Sequence, residues 1–219
     1  MNTSAAEILR EYGPFADAAR VHGVTFDGEQ VWFAAGDRLI AFDPASGETR
    51  RTLEVAARAG TAFDGRHFYQ IAGDRIDKLD PQTGAVLGSI PAPGGGADSG
   101  LAWSEGTLWV GQYLARKIHQ IDPETGAVLR TIESKRHVTG VTWVDGELWH
   151  GSWEGERSDL RHVDASTGEV LEVLEMPPGV FVSGLESDGG DRFFCGGADS
   201  ATVRAVRRPK QGEHTPVTP

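Results

Sequence analysis

The fold is decided by a stretch that recurs along the chain. Residues 140–174 read GVTWVDGELWHGSWEGERSDLRHVDASTGEVLEVL, and residues 23–55 read GVTFDGEQVWFAAGDRLIAFDPASGETRRTLEV. Further copies begin at Gly60 and Gly100, and a shorter copy begins at Gly184. Five copies at a spacing of roughly 40 residues indicate a repeat architecture in which each copy forms one structural unit.

Each copy carries turn signals at two fixed places. The second turn reads DPASG, DPQTG, DPETG or DASTG in the four complete copies. The proline presets a type I turn, and the glycine takes the left-handed position after it. The apolar runs between the turns predict four short antiparallel strands per copy, named a to d here. The first turn has an acid followed by glycine, which suits a tight hairpin: Asp27-Gly28, Asp64-Gly65, Glu105-Gly106, Asp145-Gly146 and Asp188-Gly189.

Four strands in a repeat of this length are typical of a propeller blade. The sequence therefore predicts an all-β fold, a five-bladed β-propeller over residues 23–209, with blades that begin near residues 23, 60, 100, 140 and 184. A β-sandwich is the alternative, but it does not explain why both turn types recur in phase. One aromatic register on strand b is predicted to pack between blades: Trp32, Tyr69, Trp109, Trp149 and Phe194.

The two ends of the chain lie outside the repeats. Ser4 and Glu7 form a capping box, and Gly13-Pro14 ends a helix, so residues 1–22 are predicted to be a lead-in with a short helix near residues 5–12. Blade five stops after its third strand, near Arg208, and residues 210–219 are expected to be a flexible tail. Whether residues 14–21 supply the missing outer strand stays open on the sequence alone.

Composition limits the classes of partner. The chain has 21 Lys and Arg against 32 Asp and Glu, a net charge of −11, and no basic run longer than Arg207-Arg208. Nucleic acid and anionic membranes are therefore disfavoured as partners. A single cysteine, Cys195, and a start without a signal-peptide pattern lead to the expectation of a reducing, cytoplasmic location. No apolar run approaches the roughly 18–20 residues that span a bilayer.

The loops point to one face of the propeller. The a-to-b and c-to-d turns are uniform, whereas the b-to-c and d-to-a loops vary, and blades three and four insert GQYLARK and GSWEGERSD after strand b. Because binding residues on a rigid scaffold are commonly carried by such loops, we expect the site on the variable face, nearest blades three, four and five. The predicted ligand-binding residues are Arg58, Asp98, Gln112, Tyr113, Trp153 and Phe181.

Glu186 breaks the repeat. The second position of strand a is threonine or alanine in four blades and Glu186 in the fifth. A carboxylate at an inner-strand position is costly unless it is hydrated, paired or bound to something. The sequence therefore predicts a catalytic role for Glu186. The alternative is a structural ion pair with Arg58 or Arg20 across the channel.

Three histidines are predicted to meet Glu186 on the same face. Imidazole titrates near neutral pH and binds divalent metals, so His22, His137 and His150 are candidates both for acid–base catalysis and for a metal site. No cofactor is certain, and one divalent metal ion is what this set could bind. The sequence contains no nucleophile elbow, phosphate loop or HExxH motif, so acyl-enzyme chemistry and nucleotide hydrolysis have no support.

The repeats resemble a known family. The F/W-D-G turns, LW on strand b and IDPxTG on strand c resemble the glutamine cyclotransferase-like five-bladed propellers, which convert N-terminal glutaminyl residues to pyroglutamate. That family carries a catalytic acid in a Gly-Glu-Gly-Leu type motif at the second strand a, where this chain has AGTA at residues 59–62; its nearest echo is SGLE at residues 183–186. LWVGQ and LWHGSWE are also similar to the streptogramin lyase-like propellers, which use a divalent metal with histidine and glutamate.

These resemblances imply an enzyme that modifies a small-molecule or peptide substrate at the mouth of the central channel. It would be a transferase of the glutaminyl cyclotransferase type or a metal-dependent lyase, acting by acid–base or metal-assisted chemistry. A non-catalytic propeller that binds a ligand or another protein is the alternative. The site-forming loops differ from blade to blade, which favours a single site over the repeated sites of a lectin.

Overall fold

A computed structural model describes residues 1–209 as five antiparallel blades around a common axis, one of which gains an added parallel strand. The predicted all-β, five-bladed β-propeller is confirmed. Residues 210–219, where the sequence predicts a flexible tail, lie outside the described residues. Residues 1–209 form no helix, so this part of the chain has none that is long and apolar enough to cross a membrane.

The strands are numbered in chain order. Two of them precede the first repeat, β1 (Asn2–Ala5) and β2 (Ile8–Tyr12). Blade one contains β3 (Val24–Phe26), β4 (Val31–Ala34), β5 (Gly36–Phe42) and β6 (Thr49–Ala57). Blade two contains β7 (Thr61–Phe63), β8 (Phe68–Ala72), β9 (Arg75–Leu79) and β10 (Val86–Pro91). Blade three contains β11 (Asp98–Ser104), β12 (Thr107–Gln112), β13 (Lys117–Ile121) and β14 (Val128–Glu133).

Blades four and five complete the ring. Blade four contains β15 (Val138–Val144), β16 (Glu147–Glu154), β17 (Arg157–Val163) and β18 (Val170–Glu175). Blade five contains β19 (Leu185–Ser187), β20 (Arg192–Gly196) and β21 (Val203–Arg207). The innermost strands β3, β7, β11, β15 and β19 contact one another in that order, and β19 contacts β3.

A ring of glycines marks the closest approach of these inner strands. One glycine stands at the start of strand a in every blade, and an added Cβ there would meet the backbone of a neighbouring blade. At Gly23 it would lie 2.6 Å from the carbonyl oxygen of Ala59, and at Gly184 it would lie 2.7 Å from the amide nitrogen of Val24. Only glycine permits so close an approach. The glycine ring consists of Gly23, Gly60, Gly100, Gly140 and Gly184.

The predicted aromatic register on strand b is buried between blades. Trp32 of blade one packs on Phe68 of blade two, with ring centroids 4.9 Å apart, and Trp149 of blade four packs on Phe193 of blade five at 5.0 Å. All five members of the register are fully or almost fully buried. Each blade therefore depends on its neighbour for part of its apolar core.

The predicted N-terminal helix is wrong, because both N-terminal segments are strands. β1 pairs in parallel with β18 at the outer edge of blade four, and β2 pairs antiparallel with β21 to supply the fourth strand of blade five. Tyr12 is buried against Phe42, with centroids 4.7 Å apart, and its hydroxyl donates to the carbonyl of Pro44 at 2.9 Å. A helix could not pair with the open edge of β21, so tertiary pairing overrides the local capping signal. Residues 8–12 thus close the ring.

Candidate functional site

The central channel opens on the variable face into a pocket of about 330 Å³. Its walls come from the segments just before the glycine ring and from the loops that follow strand b. This volume lies at the small end of the range for ligand pockets. Different blades contribute different side chains to the lining, including Arg20, His22, Arg58, Asp98, Tyr113, Thr139 and Trp153.

The side formed by blades one and two is cationic. Arg20 is paired with Asp199, whereas the exposed Arg58 forms neither a hydrogen bond nor an ion pair within residues 1–209. His22 lies in the same lining, and its pKa is lowered, first by burial and then by the charges of Arg20 and Arg58. Its imidazole is therefore neutral at neutral pH.

Blade three contributes a buried carboxyl to the pocket. One oxygen of Asp98 accepts a hydrogen bond from the Gln112 side chain at 3.1 Å, and the other accepts one from the backbone N–H of Gly94 at 2.9 Å. Burial nevertheless raises the pKa of the Asp98 carboxyl, outweighing these two donors. Asp98 is thus a fixed carboxyl that holds its proton more tightly than an exposed aspartate does.

Aromatic residues form the wall on the side of blades three to five. Trp153 stacks on Phe181 with centroids 4.6 Å apart, and Tyr113 stacks on His137 at 4.5 Å. The Tyr113 hydroxyl donates to the carbonyl oxygen of Trp153 at 3.2 Å, which ties the two pairs together. Trp153 and Tyr113 line the pocket, while Phe181 and His137 support them from outside its lining.

The predicted metal set is not brought together. His22 is at the pocket, and His137 lies in a loop network 3.8 Å from Glu154. His150 is fully buried on β16 beside the carbonyl of Gly151, and burial lowers its pKa to about 4. It takes the core position that Val110 holds in blade three, so it faces away from the pocket. Nowhere in residues 1–209 do three His, Cys, Asp or Glu side chains form a group that could hold a metal ion.

Glu186 lies deeper in the channel than the pocket. It is two residues beyond Gly184, so the glycine ring stands between its carboxylate and the mouth, and it is not part of the lining. The carboxylate accepts hydrogen bonds from the hydroxyls of Thr25 at 3.1 Å and Thr142 at 2.5 Å, and from the N–H of Ser187 at 2.8 Å. The side chain keeps some access to the channel but is enclosed by protein, and burial raises its pKa to about 7.

These contacts give Glu186 a structural position. It joins the inner strands of blades four, five and one, where the ring closes. The ion pair that we considered from the sequence is not formed in residues 1–209, because Arg20 pairs with Asp199 and Arg58 with no acid. Glu186, His137 and His150 therefore do not share the pocket with His22.

Several pocket residues were not among the predicted site residues, including Arg20, Ser99, Thr139 and Ser183. Thr139, just before the glycine of blade four, is 5% exposed, lines the pocket, and has a hydroxyl without a hydrogen-bond partner in the described structure. Its place directly before a strand a glycine was the signal available in the sequence, since that position faces the mouth in every blade.

Fold and pocket together define the class: a five-bladed propeller with one asymmetric pocket at the mouth of its channel. The crystal structure of Myxococcus xanthus glutaminyl cyclase is similar, with a TM-score of 0.78 and 17% sequence identity over 94% of this chain and 97% of that chain. The match confirms, at the level of fold, the resemblance inferred from the blade motifs. No family model matches the sequence, and no curated protein matches it significantly.

Proposed function

We propose that this protein is an enzyme that modifies a small molecule or the end of a peptide by acid–base chemistry at the channel mouth. The observation that carries the proposal is the presence of two proton-transfer groups in one pocket. His22 has a lowered pKa and Asp98 a raised pKa, and both line the same cavity. The shift at His22 keeps the imidazole in its neutral, proton-accepting form, and the shift at Asp98 moves the carboxyl toward the neutral range in which proton transfer is efficient.

We assign the roles from the directions of the two pKa shifts. The neutral imidazole of His22 accepts a proton from the attacking group, and Asp98, in its protonated form, delivers a proton to the leaving group. Arg58, which has no acid partner in the described chain, stabilises negative charge that develops on the substrate. Tyr113 and Trp153 position the apolar part of the substrate.

The similarity to a glutaminyl cyclase supports an enzyme on this scaffold. Together with the resemblance of the blade motifs to a family that forms pyroglutamate, it favours a reaction in which protons move between substrate atoms. Acid–base chemistry is preferred to metal-assisted chemistry because His22 and Asp98 share the pocket, whereas the three histidines of the predicted metal set do not.

A non-catalytic ligand-binding propeller is the second candidate. It is favoured by one observation, that both oxygens of Asp98 already accept hydrogen bonds from the protein. A carboxyl held in this way could serve only to shape the pocket.

Turnover of a substrate panel separates the two candidates. N-terminal glutaminyl peptides, small amides and lactones are offered to the wild type and to Asp98→Asn, His22→Gln and the control Glu29→Gln, an exposed acid on the uniform face. We expect Asp98→Asn and His22→Gln each to lower kcat by about 10²–10⁴-fold, and Glu29→Gln to leave it unchanged. Wild-type turnover that both pocket variants retain would remove these residues from the chemistry, and a wild type that turns over no member of the panel would favour the binding module.

A further inference from the structure

The charge of the pocket differs from the charge of the protein. The chain carries a net charge of −11, yet its pocket is lined by two arginines and one carboxyl, Asp98, which burial makes harder to ionise. Arg20 is partly neutralised by Asp199, whereas Arg58 forms no ion pair within residues 1–209, and its charge contributes to lowering the pKa of Asp37. An unpaired guanidinium in a small concave site is a fork of donors that matches a carboxylate.

A second, independent observation also points to a ligand, and it is the aromatic wall of the pocket. Across the pocket from the arginine-bearing blades, Trp153 and Tyr113 add aromatic surface that is held by their own partners, Phe181 and His137.

We propose that the ligand of this pocket is a small planar aromatic or heteroaromatic carboxylate. The carboxylate binds Arg58 with support from Arg20, and the ring packs against Trp153 and Tyr113. The inference rests on the proposed function only in that both use the same pocket. Its volume of about 330 Å³ suits one ring and its substituents better than a nucleotide or a lipid.

Other charge types fit this lining less well. A primary ammonium group would meet two guanidiniums and a carboxyl that burial disfavours as an anion. A neutral amide would leave Arg58 unpaired. A small anion without a ring, such as acetate, would leave the aromatic wall uncovered. The arginines and the aromatic wall together therefore favour a ligand that has both a negative charge and a ring.

Three probes separate the contributions of the anion and the ring. Benzoate has both, benzamide has the ring without the charge, and acetate has the charge without the ring. Binding is measured by titrating each probe into the ¹⁵N-labelled full chain, up to about 10 mM, and following amide shifts around the pocket. We expect benzoate to bind at least about tenfold more tightly than either benzamide or acetate, a difference of about 1.4 kcal/mol.

Variants test whether Arg58 binds the carboxylate of the ligand and Trp153 its ring. Arg58→Gln should lower benzoate affinity to the level of benzamide, and Trp153→Leu should lower it toward the level of acetate. Arg66→Gln is the matched control, because Arg66 is an exposed arginine in an a-to-b turn on the opposite, uniform face. It should leave benzoate binding unchanged.

The possible failures are distinguishable. Benzamide binding as tightly as benzoate, or Arg58→Gln leaving benzoate affinity intact, would overturn the carboxylate class. Absence of binding by all three probes would overturn it as well, while loss of turnover in Asp98→Asn on another substrate would leave the proposed function standing. Conversely, benzoate binding as expected, with turnover insensitive to His22→Gln and Asp98→Asn, would leave the inference standing and remove the proposed function.

Discussion

The channel holds two carboxyls whose pKa values are both raised by burial, one on each side of the glycine ring. Asp98 lines a pocket together with Arg58, which forms no ion pair in the described residues, whereas Glu186 accepts three hydrogen bonds from blades four, five and one. A departure from the repeat therefore does not by itself identify a reactive group. What separates the two is position: Asp98 belongs to the lining of the cavity at the mouth, and Glu186 joins three blades where the ring closes.

The glycine ring, which separates the pocket of Asp98 from Glu186, can be tested at Gly60. A Cβ on this residue would clash with the backbone of Leu101, so Gly60→Ala should lower the free energy of unfolding by about 3 kcal/mol or more. Gly88→Ala is the matched control, since a Cβ at Gly88 meets nothing within 4 Å; it should change stability by less than about 0.5 kcal/mol. Chemical denaturation measures both. Equal stability of the two variants would contradict the close approach of the inner strands.

The second test uses pH at Glu186. Its pKa rises from 4.5 to about 7 on folding, so the folded state holds the proton more tightly than the unfolded state. The resulting stability is complete below about pH 4.5, decreases as the pH rises toward 7, and is level above that. Glu186→Gln mimics the protonated form and should lack this decrease. At pH 8 it should be the more stable protein, by at most about 3 kcal/mol, and near pH 4.5 the difference should vanish.

Turnover is the control for that variant. Because Glu186 lies beyond the glycine ring, Glu186→Gln should retain kcat within a few-fold while Asp98→Asn loses it. A large loss of turnover in Glu186→Gln, with Asp98→Asn still active, would show that Glu186 and not Asp98 takes part in the reaction.

Two threonines on β15 give a matched pair. The Thr142 hydroxyl donates to Glu186, so Thr142→Val should cost about 1–3 kcal/mol of stability above pH 7, where the carboxylate is charged. The buried Thr139 hydroxyl has no partner in the described residues, so Thr139→Val should change stability by less than about 0.5 kcal/mol. Thermal or urea unfolding of both variants provides the measurement, and a costly Thr139→Val would place that hydroxyl in the structural framework instead.

The last test concerns the aromatic wall at Trp153. This residue is partly exposed and stacks on Phe181, so Trp153→Ala should lower the free energy of unfolding by only about 0.5–1.5 kcal/mol. Its effect on ligand binding should be larger, roughly 1–3 kcal/mol by calorimetry with benzoate. If stability fell by several kcal/mol and binding did not change, the aromatic wall would belong to the core.

The blades could be predicted because their signals are local. Acid–glycine and DPxTG turns specify their own backbone conformation, and each turn places the next strand. The N-terminal strands could not be predicted in this way. Ser4 and Glu7 satisfy a local helix rule, but β2 forms because β21, about 190 residues later, offers an unpaired edge. The sequence of residues 1–12 alone does not show that β21 is the partner of β2.

Loop variation indicated the mouth of the channel, and a pocket does lie there, lined by residues that include Arg58, Asp98, Tyr113, Trp153 and His22. That it is the functional site stays a prediction. The grouping of His137, His150 and Glu186 with these residues failed for a geometric reason. Strand register places His150 in the core, and the constriction above Glu186 depends on contacts between blades, which no single repeat encodes.

The N-terminal strands also impose an order on folding. Residues 2–12 precede all five repeats, yet their partners β18 and β21 comprise residues 170–175 and 203–207. Pairings so distant in sequence are slow to form because a long loop must close first. Blade five therefore lacks its outer strand, and the ring stays open, until residues 8–12 have paired with residues 203–207.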